Sequence, residues 1–369
     1  MRILYVGDLR RESSTYPRFK ALQAVGNEVV AFASYEICAS QNRLLNFLGH
    51  RYYCTRANWD GNMRLRQLVR ELRPHVVWID KGRWIYPRTL RVLRAQGAKL
   101  VHYNTDDIYD PQGYAWLHRL GIRHYDLCIT TNRFNVSEII SKYGVTSFRA
   151  GMGYDADSHR PPAGMDMNAV ADVVFVGHWE QHTESYLAAL HDAGLIVRVH
   201  GGNWRRARRH EFRKARTLPQ TDYNAALTSA KLAICSLSRR NRNESTGRSF
   251  EIPAIGACLV AEDTVEHRYF YQDGQEAFFF RGIGDLVAKC NWLVGQSDIR
   301  RRVAAAGRRR CLALGLSWQD HINREWPLCD RFLQEGSLSL KLGDDAPFWS
   351  GFRSGLPCES TKNTVTTTN

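Results

Sequence analysis

A chain of 369 residues is too long for one ordinary domain and fits two, and its 44% hydrophobic content lets each bury a core. No run approaches the ~20 apolar residues of a membrane-spanning helix. The nine cysteines are scattered, without C-x-x-C spacing or a Cys/His cluster, which argues against a disulfide framework or a zinc site. Lys and Arg number 51 against 37 Asp and Glu, and the resulting charge of +14 attracts anions: nucleotide sugar, lipid head group, acidic glycan or nucleic acid.

The first 150 residues alternate strands with helices. Apolar runs at 3–6, 28–32, 75–79, 99–103 and 126–130 read as strands, and a helix over 60–72 stops at Arg73-Pro74. The start, Met1 to Gly7, is strand-like and lacks the longer apolar core and cleavage site of a signal peptide, so a soluble, cytoplasmic protein is expected. Buried strands spaced by amphipathic helices predict a parallel α/β sheet. Residues 151–168 are rich in Gly and Pro and read as a linker.

A second alternating series has strands at 171–177, 196–201, 232–235 and 257–261, then helices at 285–294 and 297–311. A segment holding Trp318 and Trp326 is expected to pack back across the domains, and the Thr/Asn tail at 360–369 to be disordered. The expected division is 1–160, 161–325 and a C-terminal segment 326–369. Two doubly wound domains leave a cleft, each placing its binding loops at the carboxyl ends of its strands.

The most informative segment runs from Thr246 to Val260. A short helix opens after a polar run and closes at Gly256, directly before a buried strand. Pro253 is expected in its first turn, with Ser249 as N-cap and Glu251 just inside. Free N–H groups there suit an anion, with Gly247 letting the backbone approach and Arg248 adding charge. A carboxylate beside them suits the paired hydroxyls of a ribose. The competing reading is a surface acid, Glu251, that complements the helix dipole and pairs with Arg248.

Arg248 to Ala257 resembles the R-x-F-E-x-x-A-x-G pattern of CgeB-like (spore-maturation-protein-like) glycosyltransferases, in the family 4 type GT-B group. The resemblance extends to Tyr271–Ala277, Asp285-Leu286 and Ala304–Arg308, and upstream to Val174–Gly177 and His200–Trp204; it covers 170–325 well and the first half loosely. It implies a GT-B fold of two Rossmann-like domains facing a cleft. The implied function is a hexosyltransferase-like enzyme of polysaccharide biosynthesis, moving a sugar from a nucleotide-diphosphate sugar to a glycan or glycoconjugate, with no cofactor and no metal.

By the same resemblance, Glu251 holds the donor ribose, and Arg248 with the backbone near Gly247 faces the diphosphate. Ser249 and Phe250 belong to the same donor segment. Gly177 is the close-approach glycine, with His178 after it, and base and sugar lie near Gly201 and from Ser236 to Ser238. The sequence departs from the group's E-x7-E pair: the earlier position is Asn243, with Glu244 next to it. That departure keeps open a glycan- or nucleotide-binding protein without turnover, and a transferase acting on protein or nucleic acid is a further alternative.

Asp106-Asp107 follows a strand, and the resemblance makes this acidic pair an acceptor site or general base, with Arg248 as the third expected catalytic residue; the bland alternative is a polar loop with a capping Asp. The loop after the first strand is no G-x-G-x-x-G and offers Asp8, Arg10, Ser13 and Thr15 to acceptor hydroxyls, or is a plain turn. His178 and His102 lie at strand ends. The basic run Trp204 to Arg216 suits an anionic membrane at the inner face, an acidic acceptor or a solvated helix face; nucleic acid lacks a motif to support it.

Overall fold

The computed structural model describes residues 1–40, 42–110, 113–162 and 170–336. The first sheet has six parallel strands in the order β2-β1-β3-β4-β5-β6: β1 (Arg2–Gly7), β2 (Glu28–Ala33), β3 (Val76–Asp80), β4 (Lys99–Asn104), β5 (Leu127–Thr130) and β6 (Thr146–Arg149). β3 and β5 are buried throughout, so their sequences read as unbroken apolar runs.

The second sheet holds β7 (Ala171–Val176), β8 (Val197–His200), β9 (Ala230–Cys235), β10 (Leu259–Glu262) and β11 (Phe278–Phe280), all parallel, in the order β11-β10-β9-β7-β8. Each sheet reverses its winding beside its first strand, at β1/β3 and at β7/β9, which are the positions where doubly wound sheets bind ligands. Both domains are Rossmann-like. β6 and β11 are not among the expected strands: β6 reads Thr-Ser-Phe-Arg, with no apolar run, and β11 is only three residues long.

The helix expected at 60–72 begins earlier, at Arg56, because Thr55 and Asn58 cap it reciprocally. The closing helix, Trp318–Glu335, lies on the first domain. Trp318, Ile322, Cys329, Phe332 and Leu333 join a core with β1, β3 and β4, and Trp326 packs on Trp78. It runs straight through residue 325, so the expected domain limit falls inside a helix. Beneath it, fully buried Arg18 forks onto Asp80 at 2.6 and 2.9 Å, with Trp318 and Tyr103 against the guanidinium. Of the expected linker, Tyr154 bridges Ser317 and so ties the connection to this helix. Residues 163–169 and the tail lie outside the described residues. No helix among the described residues is long and apolar enough to cross a membrane.

Candidate functional site

The carboxyl ends of both sheets line two joined cavities of ≈ 350 and ≈ 520 Å³, which share Val176, Gly177, His178 and Arg248. That size suits a small organic ligand. Among the expected site residues the cleft brings together Ser13, Asp106, Gly177, His178, Gly201, Ser236, Ser238, Gly247, Arg248 and Glu251.

Gly177 and Gly201 end β7 and β8 back to back. A Cβ on Gly201, whose φ is +134°, would sit 1.9 Å from the Gly177 carbonyl oxygen, so no side chain fits there. The Gly177 carbonyl also accepts from the Trp204 indole at 2.9 Å. These contacts hold two backbone turns flat against the cleft. His178 follows; the surrounding protein desolvates its ring, and this and then the cations Arg248 and Arg240 lower its pKa, which favours the neutral ring.

The helix after β9 spans Gly247–Ile255, with Thr246 as its N-cap. Three expectations are corrected here. Ser249 is not the cap but a buried first-turn residue, bonded to His267 Nε2 at 2.7 Å and accepting from the Thr246 N–H at 3.0 Å. Pro253 lies well inside the helix, beyond its first turn. Phe250 is also corrected: it is fully buried against Phe270 in the core, and so turns away from a donor. The helical period explains both, since residues at 249 and 250 point inward when 247, 248 and 251 face the cleft.

Glu251 folds back over the helix start. It pairs with Arg248 and accepts from the Tyr223 hydroxyl at 2.6 Å. A Cβ at position 247 would meet its Oε1 at 2.8 Å, so Gly247 makes room for the carboxylate as well as for a ligand. Burial by itself raises the Glu251 pKa; Arg248, His159 and Tyr223 reverse that and hold it below the ordinary value. Arg248 lies over the Tyr223 ring and donates from Nε to the Val176 carbonyl at 2.9 Å, fixing the fork at the cleft wall. The surface-acid reading of Glu251 is therefore half right: the pair exists, but it lines the cavity.

On the opposite wall, Asp106 lies between Lys81 at 3.2 Å and Arg83 at 3.4 Å. Burial works to raise its pKa, and the two cations and Asn241 overcome this and draw it down to about 2. A carboxylate so acidic is a poor general base near neutrality. Asp107 does not line the cleft. It is buried and grips Arg242 of the second domain, with Asn135 donating at 2.9 Å. Asp110 likewise holds Arg240 at 2.6 Å. The acidic pair is thus one side of a domain–domain clasp whose other side is Arg240-Asn241-Arg242. Asn243 donates to the Thr105 carbonyl at 3.4 Å and Glu244 pairs with Arg133, so both turn toward the first domain.

The loop after β1 contributes less than expected. Arg10 forks onto Asp8 at 2.9 and 2.6 Å and lies over Tyr35, so the two largely satisfy each other. Thr15 is buried at the start of a helix with its hydroxyl on the Asp8 carbonyl. Only Ser13 of the four reaches the cleft, beside Arg11, Glu12 and Ser14. His102 is enclosed within β4, where burial lowers its pKa to about 4, and does not itself line either cavity of the cleft.

Residues 182–323 match the family model described as glycosyl transferase-like. This segment supplies β8 to β11 and the helix that carries Arg248 and Glu251. The chain is a glycosyltransferase of GT-B fold. The fold itself is similar to sucrose-phosphate synthase from Thermosynechococcus elongatus, at TM-score 0.62 and 12% identity over 91% of this chain and 100% of that one. It is similar also to Anabaena HepE in complex with UDP-glucose, at 0.59 and 12% over 90% and 100%. A putative UDP-N-acetylglucosamine 2-epimerase from Listeria monocytogenes gives 0.58 and 12% over 91% and 97%, so the architecture alone is shared with another chemistry. No curated protein matches the chain.

Several residues of the glycosyltransferase cleft escaped sequence reasoning. Tyr223 and His159, which flank Glu251, come from a helix and a loop far from it in sequence, and nothing local marks them. Lys81 and Arg83 sit on a turn where Lys81, Gly82 and Trp84 all take positive φ (62°, 63° and 67°), a conformation that sequence does not announce. Arg239 to Arg242 did carry a signal, as three arginines directly after a strand. The longer basic run drew attention instead, and it is no amphipathic helix. It makes two short 3-10 turns, Trp204–Arg206 and His210–Lys214, with Trp204 and Phe212 buried beneath them.

Proposed function

We propose that this glycosyltransferase takes its sugar from a nucleoside-diphosphate sugar and passes it, without a metal, to a glycan or glycoconjugate held against the first domain. The observation that carries this reading is the Arg248–Glu251 pair at the helix start, beside the paired glycines 177 and 201. The helix start and the Arg248 fork suit a departing diphosphate, which leaves with about two negative charges. Glu251 retains lone pairs for ribose hydroxyls after accepting from Arg248 and Tyr223. The neighbour HepE binds UDP-glucose, which makes a uridine nucleotide the first donor to test. Membership of the CgeB-like group, a cytoplasmic location and peripheral contact with an anionic membrane through exposed Arg205 and Arg208 belong to the same proposal.

The test is a donor screen with the full chain, scoring hydrolysis and transfer for UDP-, GDP- and TDP-sugars with and without EDTA. Turnover of at least one donor, insensitive to EDTA, is expected. Nucleotide binding with no turnover would favour a binding protein, the reading that Asn243 and Glu244, both turned away from the donor side, keep in play. EDTA-sensitive turnover would remove the metal-independent part alone.

A further inference from the structure

A groove of ≈ 680 Å³ opens beside the donor cleft and shares His178, Glu180 and Arg240 with it. Its remaining wall includes Trp179, His182, Arg206 and Arg239. Trp179 is half-buried and fixed twice: its backbone N–H donates to the Gly202 carbonyl at 2.9 Å and its indole N–H to Glu184 at 2.7 Å. Glu184 is held in turn by the Arg209 backbone N–H at 2.8 Å. An aromatic face that is already oriented loses little entropy when a flat apolar surface, such as the C–H face of a pyranose ring, packs on it.

The charges around that ring are one-sided. Arg239 is anchored by Glu262 and Arg240 by Asp110, and in both pairs the carboxylate is buried while the arginine stays about half exposed. Arg239 and Arg240 line the groove, whereas Glu262 and Asp110 do not. Arg206, with its guanidinium 5.7 Å from the Trp179 ring centroid, pairs with no carboxylate among the described residues. Glu180 is the one acid lining the groove among the described residues. An oriented tryptophan ringed by exposed guanidinium forks fits a sugar that carries a carboxylate or phosphate.

We infer that this groove is an acceptor subsite for an anionic glycan, with Trp179 stacking a sugar ring and Arg206, Arg239 and Arg240 taking its acidic group. The inference rests on the transferase reading above and names the acceptor's chemical class. The shared residues His178 and Arg240 place the groove where a chain leaving the cleft would continue. Among the described residues Trp179 is the one tryptophan, tyrosine or phenylalanine lining the groove, and a single large stacking face suits one sugar better than the successive bases of a nucleic-acid strand.

The experiment uses the full chain and a set of oligosaccharides in matched pairs: oligouronates against their methyl esters, and phosphorylated against dephosphorylated oligosaccharides, with inorganic phosphate and UDP titrated separately. Retention of an acidic member over its neutral partner is expected, weakening with salt. R206Q is expected to reduce that binding about tenfold, and W179F to reduce it less, while UDP affinity stays within about twofold in both. Whichever acidic set is retained tells carboxylate from phosphate as the source of charge. Overturning results are UDP binding with no preference for acidic glycans, equal glycan binding in R206Q, or an R206Q defect seen only with phosphatidylglycerol vesicles or single-stranded nucleic acid. Loss of UDP binding by the unaltered chain would instead sink the donor-site reading.

Discussion

Both walls of the cleft carry carboxylates, and their partners give them different work. On the second domain, Glu251 shares one cation with a tyrosine and lies open to the cavity at a helix start. On the first domain, Asp107 and Asp110 are occupied by arginines reaching across from the other domain, and Asp106 by two cations of its own wall. A carboxylate held by partners of its own wall and facing the cavity keeps lone pairs for a ligand, whereas a buried carboxylate gripped from the opposite domain becomes a fastening. Acidic residues after a strand are therefore not equivalent as site candidates, and the difference lies in what the opposite domain brings to them.

The comparison has an extreme case in Glu325, on the closing helix and fully enclosed near Arg324, Arg18 and Tyr103. There burial outweighs the neighbouring cations and pushes the carboxyl up to about 8 from an unfolded value near 4.5. Between those values the folded protein holds a proton that the unfolded chain has lost, so stability falls as pH rises through that window. Glu325→Gln is expected to be more stable than the parent by about 2–4 kcal/mol at pH 8 and equal to it near pH 4.5. Denaturant titrations at the two pH values read this directly, and an unchanged difference between them would mean that Glu325 is ionised in the fold.

Next in size is Glu251→Gln. It keeps the shape and the Tyr223 contact but removes the charge, and is expected to weaken UDP binding by about 10- to 100-fold. Calorimetry on a variant with unaltered melting checks it; parent-like affinity would erase the distinction between the walls. Gly247→Ala sharpens the same point. The added methyl must displace the Glu251 carboxylate, and a loss of about tenfold in nucleotide affinity is expected, with little change in fold. The smallest effect belongs to the clasp: Arg242→Gln is expected to cost about 1 kcal/mol or less in stability, because the arginine is partly exposed. Its UDP affinity should match the parent. A large loss of UDP binding in that variant would show that the clasp and the donor site act together.

The sequence made the two parallel sheets legible because their central strands, such as β3 and β5, are buried on both faces and read as apolar runs. It also located the helix Gly247–Ile255 and the residues Arg248 and Glu251, since a small polar run, a closing glycine and a following strand are all local signals. It misjudged residues whose direction depends on helical phase: Ser249 and Phe250 lie in the right segment and face the wrong way. It took the acidic pair after β4 for chemistry, since Arg242, which engages Asp107 of the pair, and Arg240, which engages nearby Asp110, are more than a hundred residues away.

What the sequence determined by itself is therefore the pair of wound domains and the anion-ready helix start, because period, turn residues and capping act over a few neighbours. Tertiary structure decided which charges remain available in the cleft, that Tyr223 and His159 flank Glu251, and that the closing helix completes the first domain's core. Those outcomes depend on contacts between residues far apart in the chain, where burial and the nearest opposite charge set each side chain's role.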